Sequence, residues 1–279
     1  MYTKNEPIRK LIERNGILIA AHRGTWGGNV IQNTCMAYKN ALLHGADMIE
    51  VDASMTVDGV FYAFHNGEEM LEFGIDRDIR QMKSEEVRKL SALNSLRHTS
   101  RQKLERLEEV LEQFRGKCLI NIDRSWFYWA EVIGLLKRMG MQDQILLKSG
   151  VEERLLKELE ENGDGLMYMP ILKDPSEWET VEKYHINVAA AELIFTDLNS
   201  PLLTETFMGV LRDRNIAPWV NAITLDDDTT LSGRLDDNHA ISEGFQENWG
   251  RLIEIGFEII QTDWPAILKG YINDRHKNQ

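Results

Sequence analysis

Short apolar runs alternate with amphipathic stretches along the whole chain. Nine runs rich in β-branched residues stand out, at 17–21, 48–51, 60–64, 118–122, 145–147, 166–171, 188–195, 216–220 and 258–261. Most are close to continuous rather than alternating, which is how strands covered on both faces read. Helical periodicity fills most gaps. Leu104, Leu107, Val110, Leu111 and Phe114 form a stripe at three- and four-residue spacing, and Gly116 follows as a stop. Asn33 reads as the N-cap of a helix ending near His44, with Gly45 just beyond it. Ser84 opens another helix, and more are expected near 127–139, 151–161, 175–184, 201–214, 244–255 and 265–273. Pro175, Pro201 and Pro265 fall where a first helical turn tolerates proline.

Strands that alternate with helices imply right-handed crossovers and a parallel sheet. If 60–64 is a return strand after 48–51, eight main strands remain, which predicts an α/β fold of the (β/α)8 barrel type. Neither a GxGxxG nor a GxxxxGK[ST] loop occurs, so dinucleotide and P-loop folds have no support. No Pro/Ser-rich linker divides the chain, and residues 1–279 read as a single domain. Two segments are too long for plain connections. One, 65–103, is polar and contains a helix. The other, 222–243, leaves the seventh main strand and reads equally as a lid or as a solvated acidic loop.

Composition narrows the partners. Hydrophobic residues make up 43% and charged residues 28%, an ordinary globular balance. Lys and Arg number 32 against 45 Asp and Glu, a net charge of −13. That offers no electrostatic track for nucleic acid and disfavours anionic membrane surfaces. Cys35 and Cys118 are too few for a disulfide framework or a zinc site. No apolar stretch is long enough to span a bilayer. Residues 1–15 are polar and 16–21 is too short for a signal-peptide core, so a cytoplasmic location is expected. Nothing in the pattern specifies an oligomeric state.

Parallel strands bring their C-terminal ends to one rim. His22 and Arg23 follow the first run, and Glu50 and Asp52 share one face of the second. His65 follows the return strand. Asp123 and Arg124, then Lys148, then Trp219 and Asn221, then Thr262 and Asp263 close the later strands. Inward carboxylates without partners repel one another, and a divalent cation resolves that conflict. All-oxygen ligation suits Mg²⁺, Ca²⁺ or Mn²⁺. Two imidazoles beside such an ion are a general base and a general acid in waiting. Arg and Lys in the same pocket point to an anionic substrate, most simply a phosphate.

The ordered set Ala21-His22-Arg23-Gly24, Gln32-Asn33-Thr34, Gly45 to Asp52, Thr56-Val57-Asp58-Gly59 and Phe64-His65-Asn66 resembles the glycerophosphodiester phosphodiesterase family. Looser matches continue through Ile122-Asp123, Trp219-Val220-Asn221 and Thr262-Asp263-Trp264-Pro265. The resemblance implies a phosphatidylinositol-phospholipase-C-like barrel that hydrolyses a small phosphodiester to an alcohol and glycerol 3-phosphate. It implies one divalent cation on Glu50, Asp52 and Asp123, with Mg²⁺ or Ca²⁺ the first choices and Mn²⁺ also suited. His22 and His65 would be the acid–base pair, with His22 as base and His65 as acid. Arg23 would hold the phosphate, and Trp219 would form an apolar wall. The chain departs from the family pattern at Gln32 (usually Glu), Asn66 (usually Asp) and Asp123 (usually Glu), and the Lys that usually follows is absent. Arg124 would point to the other face of a regular strand, leaving Lys148 to supply that charge. A lyase that stops at a cyclic phosphate and a barrel that binds a phosphorylated ligand without turnover are the alternatives.

Overall fold

A computed structural model describes residues 5–277. Its strands are β1 (Leu18–Ala21), β2 (Met48–Met55), β3 (Phe61–Ala63), β4 (Leu119–Asp123), β5 (Ile145–Gly150), β6 (Met167–Leu172), β7 (Ala190–Leu193), β8 (Ala217–Asn221) and β9 (Ile259–Thr262). Neighbours run in the order β1-β9-β8-β7-β6-β5-β4-β2, and β1 pairs with β2 to close the ring. Those eight strands are parallel to their neighbours, while β3 returns antiparallel along β2. The expected (β/α)8 barrel with one return strand is therefore the fold.

Alternation sorts the strand residues into three environments. Outward side chains such as Ile19, Val51, Ile120, Ile122, Leu147 and Val220 pack under the helices in one large core. Inward side chains near the strand starts form a smaller apolar layer, among them Leu18, Met48, Leu119, Leu146, Met167 and Trp219. Inward side chains nearer the strand ends are polar: Glu50, Asp52, Asn121, Lys148, Glu192, Asn221 and Gln261 are all buried. Apolar packing below holds this polar layer at a fixed height in the barrel.

The helix Glu6–Asn15 buries Ile8 and Ile12 against the apolar layer and covers the strand starts. The polar look of 1–15 hid this two-residue stripe. The helix expected from Asn33 runs Cys35–Leu43, and Thr34 is its cap, its side chain accepting from the Ala37 amide. Asn33 instead takes a left-handed turn (φ 54°), with its side-chain amide donating to Asp52 Oδ2. Segment 65–103 carries two short helices, Glu69–Phe73 and Ser84–Val87, around its own small core of Phe64, Phe73, Ile79, Met82 and Val87. Segment 222–243 is pinned rather than free. The Phe195 amide donates to Leu231 O, and helix Asp237–Glu243 buries Asp237 under the rim. Asp226 in its acidic stretch caps an exposed turn through the Asp228 and Thr229 amides. Among the described residues no helix is long and apolar enough to cross a membrane.

Candidate active site

The site begins where β1 ends. The His22 amide still reaches Thr262 O, 3.2 Å away, and Arg23 then turns left-handed with φ 55°. Gly24 is required by its own φ of 79° and by space, since a Cβ would lie 2.7 Å from the Ala37 carbonyl carbon. This turn aims the Arg23 amide at Glu50 Oε2, 2.9 Å away.

Glu50 and Asp52 face inward from β2, and the β2–β4 register sets Asp52 beside Asp123. One carboxylate oxygen from each of Glu50, Asp52 and Asp123 lies within 4.8 Å of the others. Glu50 is fully buried and its Oε1 has no hydrogen-bond partner. Burial, with Asp52 and Asp123 beside it, pushes the Glu50 carboxyl well above the usual range. Burial opposes the charge on Asp52 too, but Arg23 and both imidazoles hold its carboxyl below the ordinary value. Its Oδ2 accepts from Asn33 Nδ2 at 2.8 Å and lies 3.1 Å from Arg23 Nε in an ion pair. An unpaired buried carboxylate oxygen among further carboxylates fits a hard divalent cation.

The histidines stand in contrasting surroundings. His22 Nδ1 lies 2.8 Å from Asp263 Oδ1. Asp263 is held in turn, its amide donating to Asp237 Oδ2 at 2.8 Å. Asp237 also accepts from Thr262 Oγ1 (2.9 Å) and Trp249 Nε1 (3.0 Å), and burial pushes its carboxyl up to about 8. His65 Nε2 lies 3.0 Å from Arg124 Nη1, and its Nδ1 lies 3.5 Å from Glu68 Oε1. Burial, with Arg23 and Arg124 close by, holds the His65 imidazole below its ordinary pKa.

The cations divide by what holds them. Arg23 is nearly buried between Asp52 and Glu68, the latter 2.6 Å from Nη1. Lys148 is buried between Asp123 Oδ2 (2.8 Å) and Glu192 Oε2 (3.2 Å). Burial works against its ammonium, yet those carboxylates more than offset it and raise its pKa. Arg124 does not point away, as a regular strand would require. β4 stops at Asp123, and Arg124 turns left-handed (φ 56°), swinging its guanidinium onto Asn66 Oδ1 at 2.8 Å and onto His65.

Trp219 has no exposed surface; it meets the site only through its indole N–H, 2.7 Å from Asn221 Oδ1. Asn221 Nδ2 donates to Glu192 Oε1 at 2.9 Å. Of the aromatic group after β4, Trp129 packs edge-on against Tyr168, whereas Phe127 is half exposed between Arg80 and Arg124. Helix packing and site wall are thus shared within one short stretch.

Glu68, Glu72, Glu192 and Asp237 were not singled out from the sequence. Glu192 had a signal: it is the lone charge in the buried run Ala-Ala-Glu-Leu. Glu68 and Glu72 explain how Gln32 is accommodated. Gln32 Nε2 donates to Glu68 Oε2 at 2.5 Å and to Glu72 Oε1 at 2.6 Å. The carboxylates on this side of Arg23 therefore come from the loop after His65, not from position 32.

Both halves of the chain match family models of known proteins. A family model described as the glycerophosphoryl diester phosphodiesterase family matches residues 22–133. A second model, described as a domain of unknown function, matches residues 168–272. A glycerophosphodiester phosphodiesterase from Caldanaerobacter subterraneus subsp. tengcongensis is 30% identical over 146 residues, covering 52% of this chain and 53% of that protein. The chain thus spans about half the length of the curated relatives it matches. Among solved structures, a glycerophosphoryl diester phosphodiesterase from Parabacteroides distasonis superposes with a TM-score of 0.77 at 18% identity, covering 93% of this chain and 87% of that one. An Oleispira antarctica phosphodiesterase, solved with its product sn-glycerol-3-phosphate, gives 0.67 at 15% identity, covering 92% and 96%. These superpositions establish the barrel.

Proposed function

We propose, on the premise that this chain belongs to the glycerophosphoryl diester phosphodiesterase family, that it hydrolyses a glycerophosphodiester to an alcohol and glycerol 3-phosphate. The observation that carries the reading is the Glu50–Asp52–Asp123 cluster, with Glu50 Oε1 unpaired, beside two imidazoles of opposite surroundings. Glycerol 3-phosphate bound by the Oleispira phosphodiesterase supports the product class. One barrel built from strands in both matched regions supports reading the chain as a single domain.

Glu50, Asp52 and Asp123 would hold one divalent cation. When bound, it supplies charge neutralisation at the phosphoryl oxygens. The chain's own residues do the rest. Arg23 fixes Asp52 and Glu68, and Lys148 fixes Asp123, so the carboxylates stay placed. The surroundings favour the reverse of the acid–base order read from the sequence. Burial, with Arg23 and Arg124 close by, opposes a positive charge on His65, so its neutral form takes the proton from the attacking oxygen. His22 has a carboxylate on Nδ1, which orients the ring and leaves Nε2 to protonate the leaving alcohol.

The test is a metal-restoration assay. Metal-stripped chain is given glycerophosphocholine or glycerophosphoethanolamine, and Mg²⁺, Ca²⁺ or Mn²⁺ is returned singly. Glycerol 3-phosphate release that needs metal and disappears in His22→Ala is the expected result. A stable cyclic phosphate would convert the assignment to a lyase. Binding without turnover under every metal would convert it to a binding barrel.

A further inference from the structure

We propose that Arg124, rather than Arg23 or Lys148, is the residue that grips the phosphoryl group of the substrate. The proposal rests on the phosphodiesterase reading and goes beyond it by assigning the anion contact. Three fixed cations reach the site, and two of them are already committed. Arg23 is held by Asp52 and Glu68, and Lys148 by Asp123 and Glu192. Both are buried within their pairs, and drawing either onto a phosphate would leave an uncompensated buried carboxylate behind. Arg124 differs. Its guanidinium touches only neutral partners, Asn66 Oδ1 through Nε and His65 Nε2 through Nη1. Among the described residues no carboxylate is paired with that guanidinium. The one acid contact Arg124 makes is through its backbone, its amide donating to Asp123 Oδ1 at 2.6 Å.

Position agrees with charge. That amide bond keeps Arg124 against the carboxylate cluster, and the left-handed turn at φ 56° keeps its side chain on the rim. The half-exposed Phe127 ring lies 5.6 Å from the guanidinium carbon, a cation–π contact that leaves the guanidinium N–H groups free to donate. A guanidinium presents parallel donors that match two phosphoryl oxygens, which an ammonium cannot do.

The resting contact adds a consequence. Arg124 Nη1 occupies His65 Nε2, the lone pair a base must use. A phosphoryl group that draws Arg124 toward itself frees that nitrogen at the moment substrate arrives. Arg124 therefore binds substrate and uncovers the base in one movement.

The experiment compares the full chain with Arg124→Gln and Arg124→Lys in excess Mg²⁺. The first readout is calorimetric titration with sn-glycerol 3-phosphate and with inorganic phosphate. Loss of one charge-assisted contact is expected to weaken both about ten- to hundredfold in Arg124→Gln. Arg124→Lys should recover part of that loss and serves if the Gln variant does not fold. The second readout is steady-state turnover, in which KM rises by a similar factor. Anion affinity unchanged in both variants would overturn the proposal, and would leave the phosphodiesterase reading standing wherever the wild-type chain still turns over. A wild-type chain that releases no glycerol 3-phosphate, yet loses phosphate affinity on Arg124→Gln, would sink the reaction reading and uphold the anion site.

Discussion

The rim of the barrel carries polar side chains on both of its halves, yet the unsatisfied groups that stand among carboxylates and imidazoles fall in one half. From β5 to β9 the inward groups, Gln261 Oε1 excepted, form closed sets. Lys148, Glu192, Asn221 and Trp219 link in an unbroken chain, and Asp237 gathers Thr262, Trp249 and the Asp263 amide. From β1 to β4 the sets stay open. Among the described residues, Glu50 Oε1 has no partner, the Arg124 guanidinium has no paired carboxylate, and His65 Nδ1 has only a long contact to Glu68. Buried polar groups that are fully paired hold a shape; those that are not have been left for something else to satisfy. The difference teaches where to place the chemistry. It also follows the matched regions: the open groups Glu50, His65 and Arg124 lie within the stretch that matches the phosphodiesterase family, and most of the closed half within the stretch that matches a domain of unknown function.

The largest effect should fall on the open half. His65→Ala or His22→Ala is expected to lower turnover about 10²–10⁴-fold, with the melting temperature close to wild type. Turnover that survives both single substitutions would remove the acid–base pair from the account. For the closed half the expected loss is in stability. Lys148→Met strands Glu192 and Asp123 in a buried site and should cost about 3–5 kcal/mol, a fall of several degrees or more for a chain of this size. Adding Glu192→Leu should recover much of that loss. Thermal unfolding of the two single variants and the double variant measures this, and strictly additive losses would mean that the pair is not coupled.

A smaller effect is read from stability against pH. Burial pushes the Glu72 carboxyl from its ordinary value near 4.5 up to about 7. Its folded pKa is raised, so the folded state takes up a proton across that window. Its contribution is complete below about pH 4.5 and is lost as pH rises toward 7, at no more than about 1.4 kcal/mol per pH unit. Glu72→Gln, which stays neutral, should flatten the stability curve between pH 4.5 and 7. A curve equally steep in that variant would show that Glu72 is not the group that titrates.

The barrel was legible because its strands are short and apolar and its helices are punctuated by Gly116, Pro175 and Pro265. Glu50, Asp52 and His65 were legible because they stand at fixed offsets within one continuous stretch. What stayed hidden depends on contacts across the chain. The turn of Arg124 onto His65 needs β4 to stop at Asp123 and the next residue to turn left-handed, which the apolar pattern does not encode. Asp237 reaches Thr262 only because a long loop folds back under the rim, and no spacing in the sequence encodes that return. Glu68 shares Arg23 with Asp52 across 45 positions, a pairing visible only once β3 has brought His65 back to the site.

The most direct test of the central claim is a calorimetric titration of Mn²⁺ into the metal-free wild-type chain, Glu50→Gln and Glu192→Gln. The account predicts one site per chain in the wild type, a strong loss of affinity in Glu50→Gln and near-wild-type affinity in Glu192→Gln. Affinity that is indifferent to Glu50, or lost equally with Glu192, would contradict the division of the rim into an open, reactive half and a closed, structural one.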